Sequence, residues 1–362
     1  MRVYFEPAKE LFYCISFHRI SNKRGRWGVA IVIIVFLLIY DSSLFAQCSC
    51  GGPPLLSSLE TPSTGAGVWQ FGITTEYSSV SDYVTFKTQL DDNVRDRTVA
   101  SGLLQVDYGL TDRITLSGLL TFLQQERTTF SDLSGQSEFL RTRGFGDAML
   151  LVKYSLLNPS ALSRTQLAIG GGVKSPIGRS KITNDNGTLI AATLQPGTGA
   201  WDAIIWSSAL RNLDRRLGLN VFASATYRIT SANNSFFGDG VGGYRFGNEF
   251  LTTIGIGVRQ NSRLDYTAGL RYRSTRVDES LNFPADNSGG KWLNLAPGVN
   301  FRFNDVIGLR GAGQIPLWRE LRGTQYTTSY SVSFSVFYTL RPKSNGVANG
   351  RIKGFNQTTD FQ

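Results

Sequence analysis

The sequence predicts an all-β fold, a transmembrane antiparallel β-barrel of about twelve strands preceded by a signal peptide. Three observations carry that prediction. Apolar and polar residues alternate with period two through a long series of segments. The connections between those segments alternate long and short. A leader with charged, apolar and small-residue regions opens the chain.

The leader comes first. Lys23-Arg24-Gly25-Arg26 precedes an apolar run from Val29 to Tyr40, followed by Asp41-Ser42-Ser43 and Leu44-Phe45-Ala46-Gln47. That is the order of a secretory signal peptide, with cleavage expected after Ala46. The run is shorter than the roughly 20 residues a spanning helix needs. The stretch ahead of Lys23 is long for a leader, which allows a translation start downstream of Met1. The expected organisation is a signal peptide at 1–46, a periplasmic segment at 47–66, the outer-membrane barrel at 67–340 and a polar, disordered tail at 341–362.

The alternation is clearest from Ser329 to Leu340. Tyr330, Val332, Phe334, Val336, Tyr338 and Leu340 share one face, and Ser329, Ser331, Ser333, Ser335 and Thr339 the other, with Phe337 as the exception. Similar segments lie near 67–77, 99–109, 114–127, 145–157, 166–176, 201–213, 216–230, 246–260, 264–277, 291–303, 305–317 and 327–340. Ile204 and Trp206 interrupt the polar face of the sixth. Most segments match the roughly 9–11 residues a tilted strand needs to cross a bilayer.

Long connections are expected near 78–98, 128–144, 177–200, 231–245, 278–290 and 318–326. Most of the others are brief, as at Leu110-Thr111-Asp112-Arg113, Asp214-Arg215, Asn261-Ser262-Arg263 and Asn304, with Asn158 to Thr165 the longest. Short periplasmic turns and long extracellular loops are the habit of membrane barrels, and a soluble β-sandwich has no need of that asymmetry. Trp69, Tyr77, Tyr108, Tyr227, Tyr272 and Tyr338 fall near strand ends, where interfacial aromatic girdles belong.

Composition agrees. The 362 residues include 39 Gly and 12% aromatics, but only 18% charged residues. Hydrophobic content of 41% is too low for a bundle of membrane helices. The net charge is +10, and the leader, with six basic and three acidic residues, accounts for +3 of it, leaving +7. Those basic residues are scattered singly along alternating segments, which argues against nucleic acid as a partner. The expected partners are the outer-membrane lipid bilayer, the barrel-assembly machinery and a small solute.

If the apolar face meets lipid, the other face lines the lumen. Candidate inward cations are Lys153, Lys174, Arg228, Arg259, Arg271, Arg273, Arg302 and Arg310. Candidate inward acids are Glu76, Asp107, Asp147 and Asp265. Opposed charges across a lumen form a polar constriction that favours one ion sign. They equally allow the opposite outcome, in which the charges pair with one another and plug the barrel.

Little else invites chemistry. The only histidine, His18, lies in the leader, so Ser-His and Cys-His catalysis are absent from the mature chain. No cofactor and no enzymatic activity are expected. Cys48 and Cys50 form a lone Cys-x-Cys pair at the mature N-terminus. Two thiolates suit a soft metal but do not fill a tetrahedral site.

Three stretches stand apart: Gly144-Phe145-Gly146-Asp147; Gly171 to Gly178, with Lys174, Pro176 and Gly178; and Gln195-Pro196-Gly197-Thr198-Gly199-Ala200-Trp201-Asp202. No helix follows the G-x-G, so it is no phosphate loop, and its glycines instead fit a bulge or close backbone contact at the barrel rim. In this order the stretches resemble the MetA-pathway phenol-degradation family of outer-membrane proteins. Gln314-Ile315-Pro316-Leu317 with Gly323-Thr324-Gln325 resembles that family's last hairpin. The resemblance covers nearly the whole barrel and implies a transporter-like barrel with no established reaction. The Cys-x-Cys head and the polar end after Leu340, where such barrels usually finish on an aromatic, depart from the pattern.

These readings together predict an outer-membrane channel or transporter that passes small solutes, aromatic or anionic, by passive diffusion. The alternatives are a plugged barrel with a ligand-binding or structural surface role and a metal-related accessory protein using the Cys pair.

Overall fold

The computed structural model describes residues 64–342, apart from 92–94, 132–135, 159–163 and 215–217. The leader, Cys48, Cys50 and the tail beyond residue 342 lie outside the described residues. Twelve antiparallel strands close into a barrel. They are β1 Trp69–Ser79, β2 Arg95–Gly109, β3 Ile114–Ser131, β4 Gln136–Leu157, β5 Thr165–Ser175 and β6 Asp202–Asp214. They continue with β7 Leu219–Thr230, β8 Glu249–Arg259, β9 Leu264–Thr275, β10 Gly290–Arg302, β11 Ile307–Leu321 and β12 Tyr330–Leu340.

Each strand pairs with its neighbours in sequence, and β1 closes the ring against β12, with Trp69 opposite Leu340. Closure leaves no edge strand. Lipid offers backbone groups no hydrogen-bond partner, so a closed ladder is what a β-chain needs in order to cross it.

The two faces are inverted relative to a soluble protein. On β12 the exposed residues are Tyr330, Val332, Phe334, Val336, Tyr338 and Leu340, while Ser331, Ser335 and Thr339 are buried. On β1 the exposed residues are Trp69, Phe71, Ile73 and Tyr77, while Gln70, Thr74 and Ser78 are buried. The polar faces meet inside, where the Thr74 hydroxyl donates to Ser335 Oγ at 2.8 Å. Phe337 is buried on this inner face, opposite Gly72, whose missing side chain makes room for its ring. At the strand ends, the Trp69 ring lies 4.4 Å from Tyr108 at the turn side, and Tyr77 lies 6.3 Å from Tyr330 at the loop side.

The long connections are more ordered than the sequence predicts. Most of the expected 128–144 loop is strand, because β3 runs to Ser131 and β4 begins at Gln136. Twenty-two residues of β4 span roughly 70 Å, so this hairpin stands well clear of a bilayer. Beyond the lipid both faces of a strand meet water, and the period-two signal fades. The expected 78–98 and 318–326 loops share a small sheet, in which Asp82–Thr85 pairs with both Thr88–Leu90 and Thr324–Thr327. The 231–245 and 278–290 loops share another, ordered Ala232–Asn233, Tyr244–Arg245, Glu279–Ser280 and Phe283–Pro284.

Candidate functional site

The inner face falls into two unlike halves. Under β2 to β6 it is packed, with apolar side chains among buried polar ones. Leu103, Leu119, Met149, Leu151, Ala168, Ile204 and Trp206 pack into one buried cluster. Ile204 and Trp206, which break the polar pattern of β6, are thus core residues inside a membrane barrel. Beside them Lys153 is fully buried, 3.5 Å from Asp107 and 5.8 Å from the centre of the Trp206 ring. A buried ammonium is tolerated only with such a partner.

At the loop side of this half the three glycine-bearing stretches converge. The β3–β4 ladder shifts register between Leu120 and Phe122, where Gly146 and Asp147 together oppose Thr121. That bulge turns the Asp147 carboxylate inward. Asp147 Oδ2 accepts from Lys174 Nζ at 2.7 Å, Thr198 N at 2.9 Å and Thr198 Oγ1 at 2.7 Å. Asp147 Oδ1 accepts from Gly178 N at 3.1 Å. Lys174 is shared with Asp202, 3.0 Å away.

Three backbones stack here. A Cβ on Gly178 would lie 2.6 Å from the Gly146 carbonyl carbon, and one on Gly197 2.6 Å from the Gly178 carbonyl carbon. Only glycine permits that approach. The connection from Pro176 to Trp201 is thereby drawn into the barrel. Ile190, Leu194 and Gln195 are buried on it, and Gln195 braces the loop by donating to the carbonyls of Ile182 and Ile190. The Thr193 and Leu194 carbonyls accept from Arg97 on β2 and Thr142 on β4.

Under β7 to β11 the inner face is polar and charged. Glu249 Oε1 accepts from Arg273 Nε at 2.7 Å, and Glu249 Oε2 lies 2.8 Å from Arg228. Asp265 lies 3.3 Å from Arg259 and 3.4 Å from Arg302. Asp278 also acts on Arg228 and Arg273, so Glu249, Asp265, Asp278 and Glu76 stand against Arg228, Arg259, Arg271, Arg273, Arg302 and Arg310, which leaves formal positive charge in excess. Between the Glu249 and Asp265 groups lies a small, partly open cavity. Glu76, Arg271, Arg310, Gln314, Ser331 and Ser333 line it, with Phe222 on one wall. The Arg271 guanidinium is held by Thr253 Oγ1 at 3.3 Å and Gln314 Oε1 at 3.2 Å.

The predicted inward charges therefore sort into distinct groups. Lys153 pairs with Asp107, and Lys174 with Asp147; Arg259 and Arg302 share Asp265. Glu76, Arg271 and Arg310 share the cavity, and Arg228 and Arg273 share Glu249, an acid the sequence reading passed over. Glu249 alternates in phase with Thr253, Gly255 and Gly257, and that phase was the available signal. Asp202 entered only as part of a motif, and its pairing with Lys174 is tertiary. Arg97 was hidden in an expected loop. Among the described residues no group of acids, cysteines or histidines has metal-binding geometry.

No protein-family model and no curated protein matches the chain. Among solved structures, an outer membrane channel from Pseudomonas putida F1 superposes with a TM-score of 0.61 at 15% identity, covering 77% of this chain and 97% of that one. A FadL homologue from Pseudomonas aeruginosa gives a TM-score of 0.39 at 11% identity over 75% of this chain and 90% of that one. The NanC porin gives 0.41 at 10% identity over 75% of this chain and all of the other. The fold is that of an outer-membrane β-barrel, as the first of these likenesses shows.

Proposed function

We propose that this protein is an outer-membrane channel passing small solutes by passive diffusion, with a preference for anions, and that it is kin to the channel family its glycine motifs resemble. The observation that carries the reading is the excess of guanidinium on the inner face of β7 to β11, beside a small cavity, within a barrel whose outer face is apolar. Fixed positive charge in a narrow low-dielectric passage raises the local concentration of anions.

Planar-bilayer conductance with a reversal potential in a salt gradient tests this. Discrete steps with anion preference support the channel. A silent bilayer, from protein whose folding is verified by heat-modifiable gel mobility, refutes it. That outcome would favour a plugged barrel with a binding or scaffolding role, a reading that the buried 190–200 segment and the apolar cluster under β2 to β6 support.

A further inference from the structure

On the outer face of β3 and β4 the side chains change character over a single step. Toward the turns they are apolar, with Leu116 and Leu120 on β3 and Tyr154, Val152 and Leu150 on β4. The apolar run ends at Phe122, which stands opposite Phe145. The next outward pair toward the loops is Gln124 opposite Arg143, and the one after it is Glu126 opposite Arg141. A membrane strand makes that change where hydrocarbon gives way to head groups. Below the step the wall is not flush. Gly118 stands between Leu116 and Leu120, and a Cβ there would meet nothing within 4 Å. Its cross-strand neighbours Val106 and Leu150 flank a shallow outward trough.

Arg143 is the unusual residue at this step. It is exposed, and its guanidinium lies 5.5 Å from the centre of the Phe122 ring. That ring is itself fixed edge-to-face against Phe145 at 5.3 Å. The nearby acid is already engaged, since Glu126 Oε1 lies 3.1 Å from Arg141 Nε and accepts from Gln124 Nε2 at 3.0 Å. Among the described residues no acid lies within ion-pair distance of Arg143. Lys87 and Lys291, by contrast, share Glu320 at 3.6 and 4.0 Å. Stacking on a ring face leaves the N–H donors of a guanidinium unspent. At the edge of hydrocarbon those donors suit the phosphate oxygens of a head group, which a guanidinium binds as a planar fork.

We propose that Arg143, seated on Phe122, binds the phosphate of an outer-leaflet lipid, with one acyl chain of that lipid lying in the trough over Gly118. Long loops mark the extracellular side of a membrane barrel, which assigns this end of β3 and β4 to the outer leaflet. Phe122 and Gly118 are four residues apart, roughly 13 Å along the strand, so charge and trough fit one molecule whose head group lies at the first and whose tail runs toward the second. The site faces lipid, so binding there does not depend on whether the lumen conducts.

The test uses the full chain, refolded in detergent and shown to be folded by heat-modifiable gel mobility. Diphosphoryl lipid A is titrated in, and retained lipid is read by native mass spectrometry. One tightly held lipid A per protein is expected. Arg143→Gln is expected to lower its affinity about tenfold, the worth of one hydrogen-bonded contact to a charged group. Gly118→Leu fills the trough without touching the charge and is expected to lower affinity as well. Lys291→Gln, an outward cation elsewhere on the barrel, should bind as the parent does. Parent-like binding by Arg143→Gln or by Gly118→Leu overturns the site. Phosphatidylethanolamine held as tightly as lipid A also overturns it, because apolar adhesion would then suffice. Displacement of lipid A by an equal concentration of inorganic phosphate overturns it too, because the ligand would then be the free anion and not a lipid.

Discussion

Asp147→Ala is the most informative single change, because one carboxylate holds the inward loop. It removes an acceptor for Lys174 Nζ, Gly178 N, Thr198 N and Thr198 Oγ1. Lys174 and Asp147 are both almost fully buried, so the loss is not cushioned by solvent. Removing one partner of a buried pair costs about 3–5 kcal/mol. Asp202 remains 3.0 Å from Lys174 and keeps the ammonium paired, so the lower end applies. About 3 kcal/mol is a population shift of roughly 100-fold toward the released loop. Trypsin reads that shift after Arg179, whose backbone is held by Phe145 and Gly197 and must open before cleavage. In the regime where opening is fast, the cleavage rate follows the open population. Asp147→Ala is expected to be nicked there about 100-fold faster than the parent, with unchanged gel mobility of the barrel, and to conduct in larger steps. Equal nicking rates would show that Asp147 does not hold the loop.

Other outcomes follow from the same geometry. Gly178→Ala places a Cβ 2.6 Å from the Gly146 carbonyl carbon and 2.8 Å from Asp147 N, both backbone, so it is expected to release the loop as Asp147→Ala does, at an overpacking cost of about 1–3 kcal/mol. Trp206→Ala opens a cavity in the packed half of the lumen; denaturant titration should show a loss of about 3–5 kcal/mol, and conductance should rise. Arg310→Gln, on the cavity wall, should move the reversal potential away from anion preference while leaving folding intact. Burial pushes the Asp278 carboxyl up from its ordinary range, against hydrogen bonds from Tyr244 Oη at 2.6 Å and Gly247 N at 2.8 Å. Its folded value lies above its unfolded one, so its contribution is present at acid pH and lost as pH rises through the folded value. Thermal unfolding should begin at a lower temperature above the ordinary carboxylate range than below it, and Asp278→Asn should remove that dependence.

Much of this fold is written locally. The period-two pattern of Ser329 to Leu340 needs no partner to be read, because a strand at a lipid boundary must show one apolar and one polar face wherever it sits. The short turns were equally legible, and so was the inward phase of Lys153, Lys174, Arg271 and Arg310, since phase is a property of one strand. The signal weakened where that boundary condition lapses. Above the bilayer β3 and β4 continue with mixed faces, and Ile204 and Trp206 interrupt the pattern because an apolar cluster inside the lumen is not implied by any one strand.

The sequence by itself determined the barrel, its strand order and the side of each strand that turns inward, because alternation and loop length are set by neighbours in the chain. Only the tertiary structure decided which charges meet. Asp147, Lys174, Gly178, Thr198 and Asp202 lie on β4, β5, β6 and the loop between β5 and β6, and become one node when the ring closes. The same closure divided the lumen into a packed half and a charged half. A chain's own pattern fixes which face a residue takes, but what lies across a lumen from it is a distance between strands, and no local pattern encodes that.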